Sequence, residues 1–342
     1  MKKFLIYIAC VGLPFFLLVP TVNYCIDPAH TIDGEEYADK IVTGLKQGYN
    51  VTNLSDHDER FYKKKLAELY KDKELDFLIL GSSRSMLLNR HNFNSDKVLN
   101  LSVSGATVKD FLAFYEICKQ NNIKYKKLII GMDPVMVSCN DLRWKSIGEY
   151  YYSAIGQTQQ APSVISLKQE KLDNLFSVGY FKTALKHPKQ LKLEYIKSEC
   201  GEEKTTHLDG SLCYDRKYRN SDVINVNNTA KIQWHHSYDF ECIDTILIKE
   251  FELLLSDCLR NKIDITFFFS PYHKYLYDRL FILAHVQAGE KEVYRLANEY
   301  HIHTIGNYNP DYCNVSNEDF YDGMHARQET IDKLMQKDFS KN

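Results

Sequence analysis

Asp76-Phe77-Leu78-Ile79-Leu80 runs straight into Gly81-Ser82-Ser83-Arg84, and this stretch decides how the chain is read. The first five residues are a short apolar strand. The glycine and two serines that follow are a tight turn out of it. The same pattern recurs along the chain. Val98–Val103 is a second strand, ending at Ser104-Gly105, and Lys127–Met132 is a third, ending at Asp133-Pro134. Ile263–Phe269 is a fourth, ending at Ser270-Pro271-Tyr272-His273, and Ile302–Ile305 is a short fifth. Helical patterns separate them: Asp58–Lys73, Thr107–Gln120, Cys242–Arg260, Glu290–Tyr300 and Ala326–Lys337. In Thr107–Gln120, Val108, Phe111, Leu112, Tyr115 and Cys118 mark one apolar face, and Thr107 with Asp110 forms a capping signal. Strands alternating with helices predict an α/β fold around a mostly parallel sheet.

One segment breaks the rhythm. Asp141–Trp234 is polar and rich in Tyr and Lys, with weak helical patches at Ser166–Phe176 and Tyr180–Lys186. It reads as an insertion or cap. Asp27–Asp56 is polar and reads as a stalk or wrapping arm. The chain therefore divides into residues 1–26, residues 27–75 with the first helix, and an α/β domain over 76–342 interrupted at 141–234.

The amino terminus sets the expected compartment. Lys2 and Lys3 precede an uncharged run from Phe4 to Ile26, and Asp27, Asp33, Glu35 and Glu36 follow it. A helix needs about 20 apolar residues to cross a bilayer. The charge asymmetry favours an inside amino terminus. The expectation is a single-pass anchor in the cytoplasmic (inner) membrane with the rest of the chain outside. A cleaved signal peptide is the alternative, and a lipoprotein signal ending at Cys25 ranks below it. Export would permit disulfides. Of nine cysteines, Cys200 and Cys213 bracket a polar segment and could pair, whereas Cys118 and Cys258 sit on apolar helix faces and read as core.

Composition excludes some classes. With 342 residues, 44% hydrophobic and 26% charged, the chain can build a core and is not disordered overall. Lys+Arg is 43 against 45 Asp+Glu, which argues against nucleic acid as partner. The mean hydropathy of -0.39 averages an apolar terminus with a polar remainder. No dinucleotide fingerprint, phosphate loop or paired metal spacing is present, so neither a cofactor nor a metal is expected.

Ligands of such sheets bind at the carboxyl ends of the strands. Three clusters fall there: Gly81-Ser82-Ser83-Arg84, Ser104-Gly105 and Asp322-Gly323-Met324-His325. The first puts a hydroxyl in a turn where backbone N–H groups converge. The last puts Asp and His three residues apart, so the imidazole can take a serine proton while the carboxylate fixes its tautomer. Gly105 suits a backbone turn with positive φ. His273 also lies at the carboxyl edge and is a candidate for lining the site. His235-His236 beside Trp234 is a faint metal or sugar-stacking signal.

Taken together, Gly81-Ser82-Ser83, Gly105 and Asp322-Gly323-Met324-His325 resemble the blocks of the SGNH/GDSL hydrolase superfamily. The resemblance covers about Phe77–Asp133 and Ile263–Met335. It implies a three-layer, flavodoxin-like sandwich and a catalytic set of Ser83, His325 and Asp322. Within the superfamily the chain looks most like membrane-anchored proteins of alginate O-acetylation and teichoic-acid D-alanylation. Those imply an O-acyltransferase or acylesterase acting on an envelope or exported polysaccharide, beside a multi-spanning membrane O-acyltransferase. Two positions depart from the pattern. Ser82 replaces the Asp of the first block, and Asp133 stands where the third block offers an Asn to the oxyanion. An ionised Asp133 would repel an oxyanion unless it turned toward Arg84, leaving Arg84 or backbone N–H groups to stabilise the charge. A non-catalytic scaffold or glycan-binding partner is the alternative those departures leave open.

Overall fold

The computed structural model describes residues 16–137, 142–161, 171–187, 191–234 and 243–339. Among the described residues, nine strands form two sheets. They are β1 (Asn50–Thr52), β2 (Glu74–Leu80), β3 (Val98–Asn100), β4 (Lys124–Gly131), β5 (Glu194–Ile196), β6 (Thr205–Thr206), β7 (Leu212–Cys213), β8 (Asp264–Phe269) and β9 (His303–Gly306). The main sheet has the order β3-β2-β4-β8-β9 and every pairing in it is parallel. Numbered within that sheet alone, the order is 2-1-3-4-5, the doubly wound order whose ligand site lies where the strand order reverses. Here that point is between the carboxyl ends of β2 and β4.

Successive strand residues feed opposite faces, as a period of two requires. Leu78, Leu80, Leu128, Ile130, Phe267 and Phe269 join one buried cluster, while Ile79, Ile129 and Phe268 join another. The first face is covered by the helices Val108–Gln120, Thr245–Arg260 and Ala284–Glu299, which contribute Phe111, Phe251, Val293 and Leu296. The second is covered by Arg90–Phe93 and Gln328–Phe339, through Phe93, Ile331 and Met335. This gives the expected three layers, with strand ends close to those read from sequence. Thr107 and Asp110 close the capping box at the start of their helix.

Of the two readings of residues 27–56, the wrapping arm fits and the free-standing stalk does not. The helix Gly34–Lys46 presents Tyr37, Ile41 and Leu45 at four-residue spacing, and all three join the main core. β1 then pairs antiparallel with β5 and β6 of the insertion, giving a small sheet of order β5-β1-β6-β7. A buried lysine fastens this second sheet to the first. Lys63 Nζ donates to the carbonyl oxygens of Asn100, at the end of β3, and of Gly210, in the turn between β6 and β7. The Cys200–Cys213 pairing is present, with Cα atoms 5.8 Å apart, and Cys118 and Cys258 are buried free thiols.

Among the described residues no helix is long and apolar enough to cross a membrane. Residues 16–26 are helical, and residues 4–15 of the expected span lie outside the described residues, as do His235 and His236.

The disulfide closes a loop with a sequence separation of 13. For a loop near that length the chain-entropy contribution is about 3 kcal/mol. Replacing Cys200 and Cys213 together by Ser should lower the urea midpoint with little change in slope, and reducing agent should shift the wild-type protein in the same direction.

Candidate active site

The turn after β2 depends on two glycines. A Cβ on Gly81 would lie 2.0 Å from Ser85 Oγ, and one on Gly131, at the end of β4, would lie 2.4 Å from the same atom. Without side chains, the two strand ends admit Ser85 between them. Ser82 Oγ accepts from Arg84 N–H at 3.2 Å, tightening the turn around Ser83. Ser83 is half-buried there.

The Asp322–His325 turn approaches from the far end of the sequence. Its base is a bridge between Phe320 and Ala326, and Tyr321 N–H donates to His325 O at 2.8 Å. Asp322 Oδ1 accepts from the backbone N–H groups of Met324 at 2.7 Å and His325 at 2.8 Å. That local pairing holds carboxylate and imidazole together. His325 Nδ1 lies 3.0 Å from Asp322 Oδ2, and His325 Nε2 lies 2.9 Å from Ser83 Oγ. The acid on Nδ1 fixes the tautomer, so Nδ1–H donates to Asp322 and Nε2 is left to accept from the Ser83 hydroxyl. The three residues expected to act together are therefore in line.

Burial alone would raise the Asp322 carboxyl. The imidazole of His325, its hydrogen bond, the Tyr218 hydroxyl and the Met324 N–H outweigh it and hold the acid well below its ordinary value. It remains ionised at neutral pH, as an orienting acid must.

Both carboxylate oxygens of Asp133 are taken up by neighbours other than Ser83. Its Oδ2 accepts from Ser82 Oγ at 2.6 Å, and its Oδ1 is ion-paired with Arg84 Nη1. Arg84 is committed inward as well. Nε donates to Met324 O at 3.0 Å, Nη2 donates to Ser270 O, and the guanidinium lies 3.5 Å over the Tyr272 ring. Neither side chain is placed as an oxyanion donor. The backbone N–H groups of Ser83 and Gly105 have no backbone acceptor among the described residues. Gly105 is exposed with φ of +59°, a left-handed conformation that favours glycine.

His273 stands one layer back. Its Nδ1 accepts from Tyr275 N–H and caps the helix Lys274–Leu280, which leaves Nε2–H to donate to Asn227 Oδ1 at 2.9 Å. Its backbone N–H holds Gly323 O at 3.1 Å, and burial lowers its pKa. It supports the Asp322 turn rather than lining the site.

Three residues of the insertion belong to the site and were not singled out in the sequence. Tyr218 hydroxyl donates to Asp322 Oδ2 at 2.5 Å. Burial first, and then the Asp322 charge, push its pKa up and keep it a donor. Gln233 Nε2 donates to Asp322 Oδ2 at 2.8 Å, and its Oε1 accepts from Gly323 N–H at 2.8 Å. Tyr214 donates to Ser83 O at 3.4 Å, with its ring edge-on to His325. The tyrosine-rich composition was the one available signal. No family model matches the chain, and no curated protein matches it.

Two outcomes follow from these contacts. Arg84→Met would strand a buried carboxylate and should cost about 3–5 kcal/mol in chemical denaturation, with Asp133→Asn added to it restoring part of the loss. Asp322 titrates lower in the folded than in the unfolded chain. Its ionisation therefore stabilises the fold above the unfolded value near ~4, and that contribution fades as pH falls below it. Tyr218→Phe should raise the Asp322 pKa in a carbon-13 carboxyl titration.

Proposed function

We propose that this protein carries out serine-dependent acyl transfer on a cell-envelope or exported polysaccharide, as an O-acyltransferase or an acylesterase. The observation that carries the reading is the line Ser83 Oγ, His325 Nε2, His325 Nδ1, Asp322 Oδ2, with gaps of 2.9 and 3.0 Å. A hydroxyl activated in this way serves acyl chemistry and needs no cofactor.

The sequence of events follows from the donors and acceptors. Ser83 Oγ attacks the ester carbonyl carbon as its proton passes to His325 Nε2. The carbonyl π pair moves onto oxygen, and the N–H groups of Ser83 and Gly105 are the donors to receive it. Collapse breaks the bond to the leaving alcohol, which takes the proton from His325. A sugar hydroxyl or water then attacks the Ser83 ester through the same base, and Ser83 recovers its proton. Asp322 stays ionised throughout and steadies the imidazolium.

The setting is part of the same proposal. The apolar run Phe4–Ile26 serves as a single membrane anchor with the α/β domain outside the cytoplasm. The Cys200–Cys213 disulfide fits an oxidising compartment. A multi-spanning membrane acyltransferase is the partner such an arrangement would serve. The alternative, a glycan-binding scaffold, draws on Asp133 standing where a side-chain amide would help the oxyanion.

A fluorophosphonate probe separates the two. Wild-type protein is expected to be labelled on Ser83, and Ser83→Ala to lose the label and at least ~10³-fold of p-nitrophenyl acetate cleavage. An unlabelled wild type, with Ser83→Ala fully functional in the cell, overturns the catalytic reading in favour of the scaffold.

A further inference from the structure

Residues 171–176 and Val178–Lys186 form two short helices beside the helix 16–26. They are tied to it by polar contacts. Asn23, itself fully buried, directs its amide N–H₂ to the carbonyl oxygens of Asn174, Leu175 and Ser177 at 3.1, 2.9 and 3.0 Å. Tyr180 hydroxyl donates to the Asp27 carboxylate and accepts from Ala29 N–H at 3.2 Å. The rings of Phe16 and Phe176 lie 5.3 Å apart.

The apolar side chains of the helical pair have no comparable cover. Across 171–186 only Ala184 is buried. Leu172, Phe176, Val178 and Leu185 are between 45% and 57% exposed, next to Phe16, Leu17 and Leu18 at 51–62%. A pair latched so specifically, yet apolar on the outside, is built to meet an apolar medium.

We propose that this helical pair lies in the interfacial layer of a lipid bilayer, with Leu172, Phe176, Val178 and Leu185 among the upper acyl carbons. Two observations favour lipid over a protein partner. The patch is continuous with the apolar run that begins at Phe4 and passes through Phe16–Leu18. Lys171, Lys182 and Lys186 stand against one acid, Asp173, which suits anionic headgroups. The proposal rests on the membrane-anchor reading above and adds a second foothold to it. With two footholds the α/β domain is oriented on the membrane, instead of swinging on a single tether.

Depth-dependent quenching tests it. Full-length protein is placed in vesicles of phosphatidylcholine and phosphatidylglycerol, with and without bromine on the upper acyl carbons. Single Trp substitutions go to exposed positions: Leu18→Trp, Leu172→Trp, Leu185→Trp and, remote from the pair, Tyr312→Trp. Emission is corrected for native Trp144 and Trp234. Added emission at 18, 172 and 185 is expected to fall at least about twofold with brominated lipid, and that at 312 to stay unchanged. Quenching at 18 without quenching at 172 and 185 overturns the proposal, including the case where a protein covers the pair. Absence of quenching at 18 as well overturns the anchor reading and this one together.

Discussion

The Arg84–Asp133 ion pair sits where the sheet order reverses, and the active-site side of the molecule is arranged around it. Both side chains are almost wholly buried. Arg84 belongs to the turn after β2, Asp133 to the end of β4, Ser270 to the end of β8 and Met324 to the Asp322 turn. One guanidinium thus ties three neighbouring strands to the segment that carries the imidazole. A lysine could not do the same, because the planar fork supplies separate donors in fixed directions while its face stacks on Tyr272. Buried pairs of this kind contribute little net stability over an apolar replacement. What they add is position, since an unpaired charge in any competing arrangement would be far worse.

The insertion is the second constraint. Asp322 takes three hydrogen bonds from its own turn, two from backbone N–H groups and one from the His325 imidazole, and two from the insertion, through Tyr218 and Gln233. The insertion is fixed in turn by the small sheet, by the disulfide and by Lys63. Arg327 closes the arrangement by donating to the carbonyl oxygens of Arg219 and Ser221. The acid of the triad is thereby shut away from water by a segment that plays no part in the parallel sheet. Its low pKa belongs to the whole assembly.

These two levels explain what the sequence disclosed. The strands of the main sheet were legible because burial on both faces forces continuous apolar runs, as in Leu78–Leu80 and Phe267–Phe269. Ser83, Asp322 and His325 were legible because their partners are local or lie at strand ends, where the fold class dictates the site. Tyr218 and Gln233 were not. They sit 104 and 89 residues from Asp322, and no local spacing encodes such a contact. The sequence leaves the segment around Gly34–Lys46 open between stalk and wrapping arm for another reason. Its Tyr37, Ile41 and Leu45 stripe is regular, but acidic residues around it give the segment a solvated composition. His273 misled because position at the carboxyl edge does not say which way a ring faces.

Asp133, set against the Asn of the pattern the chain resembles, then takes on a definite electrostatic meaning. A lone carboxylate ~5 Å from a developing oxyanion, at an effective dielectric near 20, would cost about 3 kcal/mol, or roughly a hundredfold in rate. Pairing with Arg84 removes most of that field, and the Ser82 hydroxyl takes up the second oxygen. Ser82 and Asp133 therefore act as one hydrogen-bonded unit. A serine in the first block is what gives Asp133 its neutral donor, and an Asp there would have set two carboxylates against each other. On the proposed reading, the backbone N–H groups of Ser83 and Gly105 would receive the oxyanion. Neither donor needs an amide side chain to hold it, because the first is fixed by the Ser82–Arg84 turn and the second by a left-handed glycine. On the proposed reading such a site has a nucleophile, a base and an orienting acid but lacks a side-chain oxyanion donor, worth about 3–4 kcal/mol where such donors have been removed from other enzymes. On the proposed acyl-transfer reading, the loss of that donor predicts slow turnover of free ester.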